Sequence, residues 1–146
     1  MRKLLIFTCL TLTLLACKKT EEEPKVTPVP EDIEMKRITS APWLMYKATA
    51  NSLNIWDVGV IEPCQKDDTY KFYKDSSLMQ YENANICSGN TDSTESYWSF
   101  YEGRKKLIGT ILNITDTAEI LLLDDNFMNV KIDYEGSPVV LYFKKN

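Results

Sequence analysis

Between Trp43 and Phe143 apolar and aromatic side chains alternate with polar ones over short runs, and this period of two constrains the fold more than any other feature of the chain. Alternation over short runs puts one face of an extended segment in a core and the other in water, whereas a helix would need a period of 3.6. The runs are Trp43–Ala50, Thr69–Lys74, Leu78–Glu82, Glu95–Tyr101, Lys106–Ile114, Glu119–Leu123, Phe127–Tyr134 and Val139–Phe143. Tyr70 and Phe72 share one face, as do Trp98 and Phe100. Glu119–Leu123 is nearly all apolar and reads as a strand buried on both faces. Polar punctuation separates the runs at Glu102-Gly103-Arg104, Asp124-Asp125-Asn126 and Glu135-Gly136-Ser137. About eight strands joined by hairpins make a meander, and a meander of this length closes on itself to remove its edges. The expected fold is therefore all-β, an eight-stranded antiparallel up-and-down barrel. Asn51–Pro63 is less regular and reads as a short strand or a covering loop, with Trp56 its exposed aromatic. A helical turn fits near Ile33–Thr39.

The amino end does not follow this period. Arg2 and Lys3 precede an apolar run, Leu4–Leu15, that is too short for the ~20 residues of a membrane-spanning helix. A basic start, a short apolar core and a small residue form the pattern of an export signal. Leu14-Leu15-Ala16-Cys17 resembles the lipobox of bacterial lipoproteins. In that family the chain is cut before the cysteine and its thiol carries lipid. The resemblance implies a signal peptide over 1–16 and lipidation at Cys17. Two or three acyl chains would give firm membrane anchoring, since each buried CH₂ contributes about 0.8 kcal/mol.

Residues 17–36 follow as a lipidated cysteine and tether. The tether has three prolines, many charges and no aromatic residue, so it lacks the apolar surface to order itself. Lys18, Lys19 and Glu21–Glu23 resemble the export signal of surface lipoproteins from Bacteroidetes-type bacteria, and read equally well as a hydrophilic spacer. The domain proper is 37–146, with all three tryptophans and all eight tyrosines. Removing 1–16 changes the net charge from −4 to about −6. An acidic chain without a basic face is not expected to bind nucleic acid. The expected location is the bacterial cell envelope, anchored by lipid to the outer membrane on its periplasmic face or at the surface.

Cys9 leaves with the signal and Cys17 is used for lipid, so Cys64 and Cys87 remain. In an oxidising compartment an even remainder reads as a disulfide. The alternative, a metal site, lacks a local CxxC and any histidine.

The order Cys64-Gln65-Lys66-Asp67-Asp68-Thr69-Tyr70-Lys71-Phe72, then Cys87, then Tyr97-Trp98-Ser99-Phe100, resembles the lipocalin-like lipoproteins. Val140-Leu141-Tyr142-Phe143-Lys144-Lys145 is similar to that family's closing strand. The resemblance covers most of 37–146 and implies a barrel, a disulfide and an anchored location. It carries over no catalytic residue. Two departures stand out. Ala41-Pro42-Trp43 replaces the family's Gly-x-Trp opening, and Asp75-Ser76-Ser77 replaces an Asp-Gly hairpin tip, so that loop is expected to be longer or of another type.

Chemistry is sparse in the sequence. There is no histidine, no phosphate-cradling glycine loop and no GxSxG elbow. The acid pairs Asp67/Asp68 and Asp124/Asp125 read as turn and strand-entry residues. No enzyme activity, cofactor or metal is expected. The candidate ligand wall is aromatic: Trp43, Tyr70, Phe72, Trp98, Phe100 and Phe143, although core packing is the more ordinary role of such residues. Two functions follow as expectations. One is a lipid-anchored module holding a small apolar ligand. The other is an accessory envelope lipoprotein that docks a protein partner through its outer surface and has a packed interior.

Overall fold

A computed structural model describes residues 32–112 and 114–146. The readings at Arg2, Lys3 and Cys17, the signal peptide and most of the tether lie outside the described residues. No helix among the described residues is long and apolar enough to cross a membrane.

The described chain opens with helix α1 (Ile33–Thr39), followed by β1 (Trp43–Ala50) and β2 (Leu53–Asn54). A 3-10 turn at Pro63–Gln65 leads to β3 (Thr69–Phe72) and β4 (Ser77–Tyr81). Then come β5 (Ser93–Tyr101), β6 (Lys106–Ile111), β7 (Ile114–Leu123), β8 (Phe127–Tyr134) and β9 (Ser137–Lys145). Neighbouring strands pair antiparallel from β3 to β9, and β9 and β3 both pair with β1. The result is a closed eight-stranded barrel, with β2 added as a short hairpin partner of β1. The β1–β9 ladder runs from Trp43↔Lys145 to Ala50↔Val139, whereas β1–β3 holds only at Trp43↔Tyr70 and Leu44↔Thr69.

Two bulges set which residues face inward. In β1 the register shifts between Met45 and Lys47, so the inward set changes from Trp43 and Met45 to Ala48. In β7 the shift lies between Ile120 and Leu122. The inner faces of β8 and β9 are regular: Met128, Val130 and Ile132 against Val139, Leu141 and Phe143.

The structure corrects two details of the sequence reading. Lys106–Ile114 is not one strand. It breaks at Leu112, which takes a φ of 53°, and Ile114 pairs back on Ile111 as the start of β7. A leucine does not mark such a break in the sequence. Glu119–Leu123 is not buried on both faces either: it is the end of the ten-residue β7, with Leu121 and Leu122 exposed at the bulge.

One end of the barrel is closed by α1. Asp32 caps the helix by accepting from the Met35 amide at 2.9 Å, and it also pairs with Arg104 in the β5–β6 turn. Arg37 donates to Asp125 and to the Leu123 carbonyl, and Lys71 Nζ donates to the Thr39 carbonyl at 2.9 Å. Ile38 is fully buried, and the Trp43 indole donates to its carbonyl at 2.8 Å. The helix includes Ile33–Lys36, residues that composition alone grouped with the tether.

Candidate functional site

The closed half of the barrel is packed. Trp43, Tyr70 and Phe143 have no exposed surface, and Tyr70 meets Phe143 edge-on at 5.8 Å. Phe72 meets Trp98 edge-on at 5.2 Å, and Trp98 meets Phe100 at 5.3 Å. The Trp98 indole donates to the Tyr73 carbonyl at 3.0 Å. These six aromatics are the candidate ligand wall of the sequence analysis. The structure brings them together as contacts within the core, and among them Phe72 borders a cavity. That cavity, about 20 Å³, also touches Leu78, Leu107, Ile111, Ala118 and Leu141. It has room for about one water, but its largely apolar wall offers a water few partners.

The opposite end is open. Ile55, Val60 and Ile61, from the segment after β2, face Leu112 and Ile114 from the β6–β7 turn. Ile132, Tyr134, Val139 and Leu141 complete the wall, and Gln65 supplies an amide. The cleft so formed measures about 220 Å³. It shares Ile114, Ile132 and Leu141 with the small cavity, so apolar lining continues from the mouth into the barrel. Pockets for drug-sized ligands are ~300–1,000 Å³, so this cleft suits a smaller molecule or the end of a longer chain. Asn51–Pro63 was legible as a covering loop. The role of Leu112 was not, because its turn was not.

Beside the cleft lies a buried polar cluster. Asp68 has no exposed surface; its Oδ2 accepts from Gln80 Nε2 at 2.9 Å and its Oδ1 has no partner. Burial pushes its pKa up to about 6, helped by the nearby charges of Glu82 and Asp67 and opposed by the Gln80 hydrogen bond. The Tyr70 hydroxyl is buried close to the Leu112 backbone without a well-formed hydrogen bond, and desolvation raises its pKa. Neither orphan atom is open to a water-sized space. None of these polar residues lines the cleft.

Glu82 is also buried and organises the loop that follows β4. It accepts from the Cys87 amide at 2.6 Å and from the Asn90 side chain. Asp67 Oδ2 accepts from the Ala84 and Asn85 amides, both at 3.1 Å. Cys64 and Cys87 form the expected disulfide, with Cα atoms 5.2 Å apart. Glu62, Cys64 and Cys87 converge closely enough to hold a metal ion, but joining the sulfurs removes the thiolates a metal would bind. Asp124 is used locally: its Oδ1 accepts from the Asn126 and Phe127 amides at 2.8 and 2.7 Å. Those bonds hold its pKa below the usual carboxylate range.

No protein-family model matches this chain, and no curated protein matches it in sequence.

Proposed function

We propose that the protein is a lipid-anchored envelope lipoprotein whose lipocalin-like barrel holds a small apolar ligand at its open end. The observation that carries the reading is the 220 Å³ cleft. Its lining is aliphatic apart from Tyr134 and Gln65, and it opens to solvent at the end of a barrel whose other end is sealed. A closed eight-stranded barrel either fills with side chains or keeps room for one small ligand, and this one does each at a different end. The Cys64–Cys87 bridge suits an oxidising compartment, as export requires. Cys17, at the lipobox, would carry the anchor.

The test is titration with an apolar fluorescent probe such as N-phenyl-1-naphthylamine. Saturable binding at one site is expected, and Leu112→Trp, which fills the mouth, should abolish it. Binding that is unsaturable, or equal in the variant, contradicts the reading.

One observation favours a second reading, a protein-docking lipoprotein. Tyr46, Phe127 and Tyr142 form an outer aromatic cluster, with both neighbours 6.4 Å from Tyr46 and Lys47 Nζ 4.7 Å from the Tyr142 ring. Tyr46 and Phe127 are exposed, as aromatic anchors at interfaces are before binding. Site-specific cross-linking from position 46 in intact cells would capture one recurrent partner if this reading holds.

A further inference from the structure

We infer that the rim of the open end docks on a lipid surface, with Leu53 and Val58 entering the apolar layer and Val60 beside them. The inference rests on the reading of the chain as lipid-anchored. Leu53, Val58 and Val60 are 72%, 69% and 61% exposed, and all lie within one short stretch of the covering segment. Val60 also lines the cleft, so the exposed stretch meets the cleft wall at that residue. Trp56 stands between them, half-buried, with Lys66 Nζ 5.3 Å from its ring centre. An indole beside a long cationic side chain suits the headgroup layer, where both keep an apolar body and a wet end.

The length of chain before the barrel allows this surface to be the membrane that holds Cys17. The described chain begins at Asp32, which is held to Arg104 at the closed end. Residues 18–31 separate it from Cys17. Fully extended, that many residues reach roughly 45–50 Å. A strand of nine or ten residues, as in β9 and β7, rises about 30 Å, and less along a barrel axis because it tilts. The tether is thus long enough to pass the whole barrel, and the open end can face the membrane that holds Cys17.

A protein partner or a second copy fits this rim less well. Interface anchors are typically Trp, Tyr or Arg at the centre of a flat patch, whereas here isolated aliphatic tips project from a narrow loop. Lys66 has Asp57 3.9 Å away, so the cation beside Trp56 is already paired and docking does not depend on anionic lipid. An apolar ligand would then enter the cleft from the bilayer without crossing water.

The experiment uses the full lipidated chain in phosphatidylcholine vesicles, a fraction of whose acyl chains carry bromine. Flotation reads anchoring, and quenching of tryptophan fluorescence reads docking. Trp43 and Trp98 are buried, so Trp56 is the reporter. The expected result is quenching that is lost in L53D/V58D, while that variant still floats and still binds N-phenyl-1-naphthylamine. Protein that floats unquenched overturns the docking and leaves the anchor standing. Protein that does not float overturns the anchor and the docking together. Equal quenching in the variant overturns the inference, as does a vesicle-free dimer that L53D/V58D dissociates.

Discussion

Asp68 is a carboxyl with one hydrogen bond, no exposed surface and two acidic neighbours. Its raised pKa means that the folded state holds a proton which the unfolded chain has already lost over part of the pH scale. The stability linked to that proton is complete below the unfolded value of 3.8 and is lost as pH rises to about 6. Asp68→Asn keeps the shape and the contact with Gln80 but does not titrate. The melting temperature of Asp68→Asn relative to the parent should therefore rise between pH 4 and pH 7 and level off above it. A difference that stays flat across that range contradicts the reading. Tyr70 gives a second residue-scale expectation. Its hydroxyl is buried without a partner, so Tyr70→Phe removes an unsatisfied group and should be neutral or stabilising by up to ~1 kcal/mol in urea melts. At this scale the sequence was half informative. Alternation placed Tyr70 and Phe72 inward, but it could not say that Phe72 would meet a cavity and Tyr70 a packed wall. That depends on how far each side chain reaches across the barrel.

Helix α1 and the disulfide loop are elements that hold the two ends in different states. Ile38 fills the closed end, so Ile38→Ala should cost about 2–5 kcal/mol in urea melts, whereas Asp32→Ala, which removes a cap, should cost about 1 kcal/mol. The loop between Cys64 and Cys87 spans 23 positions. Replacing both cysteines with alanine should lower stability by about 3 kcal/mol, a fall in melting temperature on the order of 10 °C. A change near zero would mean that Glu82, through Cys87 and Asn90, holds this loop unaided. Elements with strong local chemistry were legible: β8 and β9, separated by Glu135-Gly136, match their expected runs closely. The β6–β7 turn was not, because Leu112 adopts a left-handed conformation that its side chain does not advertise. The end of β7 was misjudged because a bulge turns Leu121 and Leu122 outward.

At the scale of the whole molecule, the barrel follows from period-two patterning and short connections, both visible in the chain. Whether its interior is hollow or filled was not visible, since that depends on side chains from eight strands meeting in space. The answer differs along the axis: aromatics and α1 fill one end, and smaller aliphatics leave the other open. This asymmetry is the physical basis on which we propose an apolar ligand at the mouth. The most direct measurement is native mass spectrometry of the protein released gently from its host membrane. The account predicts a species heavier than the lipidated chain by one small molecule that leaves when collision energy is raised. Repeated preparations carrying only the mass of the chain and its anchor would contradict it.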